Sequence, residues 1–95
     1  MEEYTNISLP LKKGRGRWDI VRDILTATLE EGTGKKTRIM QKAFLDWRTF
    51  SRYFEYLLND EFLTDCNEDE YFTVTDKGRE LLERLKSVED VLDHA

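Results

Sequence analysis

The chain has 95 residues, of which 39% are hydrophobic and 37% charged, and its formal net charge is -5 at pH 7. This length predicts one domain, and the composition excludes an intrinsically disordered chain. No apolar segment approaches the roughly 20 residues that span a bilayer, and the N-terminus lacks the apolar stretch of a signal peptide. Because Cys66 is the single cysteine, we expect a cytoplasmic protein whose thiol stays reduced.

The N-terminal residues 1–16 predict a flexible basic arm, because they are polar and include a proline and two glycines. Apolar residues then recur at helical spacing from Trp18 to Leu29 and predict a first helix over residues 17–31. A short second helix is predicted near residues 36–43. The side chains that it is expected to bury are Ile39, Met40 and Ala43.

A third helix is predicted over residues 47–59, with Asp46 in place to cap it. Four of its apolar residues fall on one stripe and are expected to be buried: Phe50, Phe54, Leu57 and Leu58. Helical geometry then directs the remaining side chains outward. These are Trp47, Arg48, Ser51, Arg52 and Glu55. Trp47 lies near the edge of the stripe, so we expect its ring to be partly buried.

The apolar pattern changes from helical to alternating beyond residue 58. The segments FLTDC and YFTV flank NEDE at residues 67–70. This arrangement predicts a β-hairpin whose apolar residues face the helices. Thr75 is placed to cap a last helix that begins at Asp76. The predicted fold class is therefore α+β and mostly helical, in the order helix, helix, helix, hairpin, helix.

Charge is distributed unevenly along the chain. Residues 1–54 hold 11 basic and 7 acidic side chains, whereas residues 55–95 hold 4 and 13. Residues 34–58 carry six basic side chains against two acidic ones, interleaved with aromatic residues. Since exposed charges are screened over about 8 Å at physiological salt, a ligand responds to the local patch more than to the net charge.

The predicted order and four segments together resemble the winged helix-turn-helix domain, and most closely a group of small archaeal winged-helix DNA-binding proteins. The segments are KKTRIMQKA as the positioning helix, LDWRTFSRYFEYLLNDEFL as turn and recognition helix, YFTVTDKG as the returning wing strand, and RELLERL as the C-terminal helix. The resemblance covers about residues 17–92. It implies a winged helix-turn-helix domain over residues 17–75 and a C-terminal dimerisation helix over residues 76–95. It also implies that the third helix, about residues 46–59, lies in the major groove of double-stranded DNA.

Two features depart from the pattern of that family. Glu61 stands where a glycine commonly follows the recognition helix, so we expect Asn59 or Asp60 to take the left-handed turn. The wing tip NEDE is acidic where many DNA-binding wings are basic, and it would repel a phosphate backbone. The alternative function is therefore a winged-helix module that binds protein and not DNA.

Eight residues are the predicted DNA contacts: Lys35, Lys36, Arg38, Lys42, Trp47, Arg48, Ser51 and Arg52. In a helix-turn-helix the first of the two helices runs along the DNA backbone, so Lys35, Lys36 and Arg38 are assigned to phosphates. The four residues on the third helix are assigned to the groove. Charged helix faces often serve only solubility, which is the simpler interpretation of the same residues.

The arm supplies four candidate contacts in the minor groove: Lys12, Lys13, Arg15 and Arg17. Arginines separated by glycine can enter a narrow minor groove, where the negative potential favours them. The segment resembles the core of an AT-hook but lacks the flanking prolines, and a solvated arm without a binding role is the alternative.

The last helix carries a short heptad seam, in which Leu81, Leu85, Val88 and Leu92 follow at intervals of four, three and four. Its first turns are expected to close the domain core. Leu85, Val88 and Leu92 are the candidate contacts of a homodimer, with a frayed tail as the alternative.

The sequence offers little material for catalysis or cofactor binding. His94 is the single histidine, and Cys66 has no base to orient it, so we expect neither an activated nucleophile nor a zinc cluster. We therefore predict that the protein is not an enzyme and has no cofactor, metal, small-molecule substrate or membrane partner. The predicted function is a DNA-binding transcriptional regulator or chromatin-associated factor.

Overall fold

The computed structural model describes residues 15–66 and 70–94. These residues form four helices and three strands. In chain order they are α1 (Arg17–Glu31), β1 (Gly34–Lys35), α2 (Lys36–Lys42), α3 (Trp47–Asn59), β2 (Leu63–Asp65), β3 (Tyr71–Val74) and α4 (Asp76–His94). The predicted α+β, mostly helical class is confirmed, and so is the winged arrangement of three helices, hairpin and last helix.

The three strands form an antiparallel sheet in the order β1-β3-β2. In the hairpin, Leu63 of β2 lies opposite Val74 of β3. Strand β1 was not predicted, because two residues are too few to show an alternating pattern. It places Lys35 opposite Tyr71, so that Lys35 belongs to the sheet edge and not to the second helix.

Helix α1 begins where the Asp19 carboxylate accepts a hydrogen bond from the Gly16 N–H at 3.0 Å. It ends at Gly32, which has a φ of +76°. A residue with a Cβ would be strained in this conformation. Between these ends its apolar face supplies Ile24 and Leu25, both fully buried, to the centre of the core.

Helix α3 crosses the core with Phe50, Phe54 and Leu57 fully buried. The Phe50 and Phe54 rings stack with centroids 4.9 Å apart, and Phe54 meets Phe72 of β3 edge to face at 4.9 Å. Aromatic pairs in these geometries add to the stabilisation from burial. The apolar stripe predicted for α3 is therefore confirmed, with Leu58 only half-buried at its margin.

The turn after α3 differs from the expectation. Glu61 itself takes the left-handed conformation, with φ of +66°, whereas Asp60 has φ of -92°. The prediction that Asn59 or Asp60 would do so is wrong. The Glu61 N–H bonds the Leu58 carbonyl at 3.0 Å and the Phe62 N–H bonds the Leu57 carbonyl at 2.9 Å. These two bonds satisfy the last carbonyls of α3 and fix the position of the reversal.

Helix α4 begins at the predicted cap, since the Thr75 Oγ1 accepts a hydrogen bond from the Gly78 N–H at 3.0 Å. The same hydroxyl donates to the Glu61 carbonyl at 2.7 Å. Gly78 is buried against Phe62, the residue that precedes β2. A Cβ atom at position 78 would lie 2.2 Å from the Phe62 carbonyl oxygen. The start of α4 is thus held against the segment after α3 by the Thr75 hydroxyl and by the close approach of Gly78 to the Phe62 carbonyl.

The Gly78→Ala variant is predicted to lose about 1–3 kcal/mol of unfolding free energy, because its methyl group would overlap the Phe62 carbonyl oxygen. The overlap outweighs the roughly 0.5–1 kcal/mol by which alanine is favoured over glycine in a helix interior. Urea denaturation followed by circular dichroism measures the difference. Ser87→Ala, on the exposed part of the same helix, is the control and should stay within about 0.5 kcal/mol of the parent. Equal stability of the two variants would show that the close approach does not exist.

Candidate nucleic-acid interface

Arg48 and Arg52 lie one helical turn apart on the exposed side of α3, opposite its buried stripe. Neither guanidinium forms an ion pair with a carboxylate in the part of the chain that the structure describes. The Arg52 Cζ lies 5.8 Å from the centre of the Tyr53 ring, which is compatible with a cation–π contact. Both charges are therefore presented to solvent.

Lys35 and Lys36 add two positive charges, one at the sheet edge and one at the start of α2. The Lys35 Nζ lies 5.7 Å from the Tyr71 ring centre. The Lys36 Nζ lies 5.4 Å from the Phe54 ring centre and 5.8 Å from that of Trp47. Rings at this range attract an ammonium group without neutralising its charge. We name Lys35, Lys36, Arg48 and Arg52 together the cationic face.

Trp47 stands at the first turn of α3, beside the cationic face. Its side chain is 53% exposed, and its ring centre lies 6.1 Å from that of Phe50. The predicted partial burial is confirmed, since one side of the indole packs on the core and the remainder faces solvent.

Two predicted DNA contacts, Arg38 and Lys42, carry charges that the chain already balances in part. The Arg38 Nε lies 3.4 Å from the Glu31 Oε1, and the Lys42 Nζ lies 3.3 Å from the Glu31 Oε2 and 3.9 Å from the Glu30 Oε1. These carboxylates end α1, a different helix, so the spacing of residues along α2 gave no indication of the pairing. Arg38 and Lys42 are exposed but are not part of the cationic face.

Ser51 is also a predicted contact with the DNA groove, but its hydroxyl is not on the open surface. The Oγ is buried and has no hydrogen-bond partner among the described residues. It lies on the side of α3 between the buried stripe and the exposed arginines, where helical spacing alone does not decide accessibility.

The basic arm is described only at its end, since Lys12 and Lys13 lie outside the described residues. Arg15 is engaged within the protein: its guanidinium pairs with Asp23 at 2.6 Å and donates to the Ala43 carbonyl oxygen at 2.9 Å. It also donates to the Phe44 carbonyl oxygen. These hydrogen bonds from Arg15 stabilise the turn between α2 and α3, in which Phe44 has φ of +57°.

The remaining arm residue, Arg17, begins α1 and is exposed. Within the described ranges it makes no ion pair. Its charge is thus available to a ligand, unlike that of Arg15.

The wing carries negative charge in its described part. Asp65 at the end of β2 and Glu70 before β3 are both exposed. The rest of the acidic tip, residues 67–69, lies outside the described residues. The positive charge that the described chain offers is therefore on the helices and at Lys35, not at the wing tip.

The candidate dimerisation residues lie along α4. Leu85 is half-buried against the core, whereas Val88 is 57% and Leu92 68% exposed. They line one side of an open apolar groove of about 430 Å³ between α1 and α4, with Trp18 and Leu81 among its other residues. An ion pair between Arg22 and Glu89 ties the two helices together beside it.

Within residues 15–66 and 70–94, no group of three or more histidine, cysteine, aspartate or glutamate residues is arranged to hold a metal ion. Of the helices that the structure describes, none is long and apolar enough to cross a bilayer.

The three-helix core, the wing and the capping C-terminal helix define a winged helix-turn-helix domain. Residues 14–93 match the family model described as winged helix-turn-helix. The chain belongs to this family.

Two uncharacterized proteins of the archaeon Methanocaldococcus jannaschii are similar in sequence. One is 42% identical over 81 residues, which cover 85% of this chain and 36% of that protein. The other is 33% identical over 79 residues, which cover 83% of this chain and 78% of that protein. The chain thus spans little more than a third of the length of the first relative.

A solved structure shares the fold. The crystal structure of Sso10a-2, a DNA-binding protein from Sulfolobus solfataricus, matches with a TM-score of 0.73 and covers 84% of each chain at 22% sequence identity. The resemblance to small archaeal winged-helix proteins is confirmed by the family match and by these archaeal relatives.

The Asp46 cap at the start of α3 leads to a pH-dependent prediction. The Thr49 N–H donates to the Asp46 Oδ2 at 3.1 Å, and this bond lowers the pKa of Asp46. A lowered folded-state pKa means that the stabilisation is present above the ordinary carboxyl pKa and is lost as the pH falls below about 4. We expect Asp46→Asn, which still caps the helix, to reduce this acid sensitivity with little loss of stability at neutral pH.

Asp46→Ala is the matched variant, and it should lower the melting temperature at neutral pH because the Thr49 N–H loses its acceptor. Thermal unfolding across pH 3–7 measures both variants, and an NMR titration of Asp46 measures the pKa directly. Identical pH profiles for the parent and Asp46→Asn would contradict the proposed role of the cap.

Proposed function

We propose that this protein binds double-stranded DNA through the cationic face, with α3 in the major groove. The observation that carries the proposal is the pair Arg48 and Arg52, which face solvent from the side of α3 opposite the core and have no carboxylate partner among the described residues. Guanidinium groups recognise guanine edges and phosphate oxygens through two parallel hydrogen bonds. A helix that presents two of them one turn apart is suited to that groove.

The remaining contacts divide by position. Lys35 and Lys36, at the sheet edge and at the start of α2, contact phosphates and set the orientation of α3. Arg38 and Lys42 contribute less, because a phosphate must compete with Glu31 for them. Family membership and the fold shared with Sso10a-2, described as a DNA-binding protein, support this assignment.

The protein would then act by occupying a DNA site and not by catalysing a reaction. We infer a small transcriptional regulator or chromatin-associated factor of the cytoplasm, whose bound copies block or organise a DNA site. Phosphate contacts supply the affinity of such a protein, whereas contacts with base edges supply its specificity.

A second function is favoured by one observation, the acidic second half of the chain. Residues 55–95 carry 4 basic against 13 acidic side chains, and Asp65 and Glu70 are exposed in the wing. A winged-helix module that binds a protein partner would use such a surface, which repels DNA. Salt-dependent binding to a duplex separates the two functions.

The DNA-binding proposal predicts a specific salt dependence. If Lys35, Lys36, Arg48 and Arg52 each neutralise one phosphate, the logarithm of the binding constant should fall against the logarithm of the salt concentration with a slope of about -3.6. Fluorescence anisotropy of a labelled duplex over a salt series measures it. The double variant Arg48→Glu, Arg52→Glu is expected to lose at least about tenfold in affinity at low salt, because both attractive contacts become repulsive.

The matched control reverses two charges elsewhere. Arg79→Glu with Arg84→Glu makes the same change in net charge on α4, where both residues are exposed, and should bind nearly as well as the parent. Equal losses of duplex affinity in the two double variants would show that the net charge, and not the position of the charges, is responsible. Absence of duplex binding by the parent at low salt would favour the protein-binding module.

We further infer a homodimer joined along α4. Val88 and Leu92 are mostly exposed and continue the line of Leu85 beyond the reach of the core. With Val91, which is 68% exposed, they form an apolar strip on the last turns of the helix. Apolar strips of this kind are typically covered by a partner, and a symmetric pair would set the spacing of two DNA half-sites.

The double variant Val88→Glu, Leu92→Glu is predicted to be a monomer, because pairing would bury its four carboxylates per dimer. A chain that ends after Lys86 should behave in the same way. Sedimentation equilibrium gives the mass, and Glu83→Ala, which points to the opposite side of α4, is the control and should remain dimeric. A parent that sediments as a monomer would refute the pairing.

A further inference from the structure

An open groove of about 430 Å³ lies beside the cationic face, between the start of α1 and the flank of α3. Its lining combines two arginines with three aromatic residues: Arg17, Trp18, Arg52, Tyr53 and Tyr56. The volume falls in the range of ligand clefts, about 300–1,000 Å³. DNA contact by α3 in the major groove leaves four of these five residues without a role.

The charges of this groove are available. Arg17 and Arg52 have no carboxylate partner within the described residues. Guanidinium groups in this state favour an anion with several oxygens, such as a phosphodiester.

The aromatic rings are available as well. Trp18 is 53% and Tyr56 47% exposed, and Tyr53 is half-buried against the core. A large exposed ring keeps its apolar surface in water, so rings gathered around a cleft favour a flat ligand that covers them. Together with the arginines they select a ligand that is both planar and anionic.

The neighbouring grooves lack this combination. The groove between α1 and α4 is apolar, and its arginine, Arg22, is paired with Asp23 and Glu89. The groove beside β1 has one aromatic ring, Tyr71, with Lys35 beside it, and it also contains Glu31, which already holds Arg38. Two guanidinium groups without a carboxylate partner and three aromatic rings come together in the groove at the start of α1 and in neither of these two neighbours.

The occupant must carry bases that are not stacked in a duplex. In double-stranded DNA each base lies between its neighbours, so its faces cannot reach a protein ring. In a single strand the bases can separate and stack on aromatic side chains, while arginines follow the phosphates.

We infer that the groove binds single-stranded nucleic acid, with bases stacked on Trp18 and Tyr56 and phosphates held by Arg17 and Arg52. Duplex binding is not required for this activity, although Arg52 borders both surfaces.

Tryptophan fluorescence tests the stacking. The chain has two tryptophans, and the Trp47→Phe variant leaves Trp18 as the one reporter. Titration with an oligo-dT of about 15 nucleotides, within the site sizes known for single-strand binders, is expected to quench Trp18. An abasic oligonucleotide of the same length should bind more weakly and leave the fluorescence unchanged. Anisotropy of labelled oligo-dT with the unmodified protein checks that the Trp47 substitution is not responsible.

Charge-matched variants locate the site. Arg17→Glu and, separately, Tyr56→Ala should each weaken oligo-dT binding about tenfold. Arg79→Glu, which makes the same charge change at an exposed position of α4 outside the groove, should keep oligo-dT binding near that of the parent. Arg48→Glu measured on duplex DNA reports on the proposed duplex site, so failure of one proposal is distinguished from failure of the other.

The inference is overturned if oligo-dT leaves Trp18 unquenched, if the abasic strand binds equally well, or if Arg79→Glu weakens oligo-dT binding as much as Arg17→Glu. A parallel titration with oligo-rU identifies the strand. Tighter binding of oligo-rU or of oligo-dT supports the site and assigns it to RNA or to DNA, respectively, and equal binding supports a site that accepts either backbone.

Discussion

The burial of one side of α3 is the constraint on which the other features of this domain depend. Phe50, Phe54 and Leu57 are fully buried, and each contributes about 1.5–3 kcal/mol relative to exposure. Rotation of the helix by one residue, 100° about its axis, would expose part of this stripe and drive a guanidinium toward the core, at a cost larger than the gain from any surface contact. The packing of three apolar side chains therefore determines that Arg48 and Arg52 face solvent.

Competition inside the chain then decides which positive charges a ligand can use. Glu31 holds Arg38 and Lys42, and Asp23 holds Arg15. Among the described residues, the arginines and lysines without such a carboxylate include the four of the cationic face and Arg17, and α4 adds Lys77, Arg79 and Lys86. An acidic protein can thus present a positive surface, because screening over about 8 Å limits the influence of the carboxylates elsewhere on the chain. Local pairing, and not net charge, is the quantity that bears on its partners.

Helix α1 connects the two surfaces that the domain leaves open. Trp18 lines both the apolar groove toward α4 and the cationic, aromatic groove toward α3. The two grooves differ in the state of their arginines: Arg22 is paired with carboxylates, whereas Arg17 and Arg52 are not. This difference favours a second protein chain in the first groove and a nucleic-acid strand in the second, because an apolar surface selects apolar contacts and an unpaired guanidinium selects anions.

The sequence by itself determined the helices, the hairpin, the caps at Asp46 and Thr75, and the buried stripe of α3, because periodicity and capping are local properties of neighbouring residues. Tertiary structure alone decided the two-residue strand β1, the left-handed Glu61, and the pairing of Arg38 and Lys42 with Glu31. Each of these depends on residues from another element, whose approach no spacing along the chain records. The DNA interface between α2 and α3 stays a prediction, and the structure adds that two of its predicted cations, Arg38 and Lys42, are paired with Glu31. The groove at Arg17 became visible only when α1 and α3 were placed side by side.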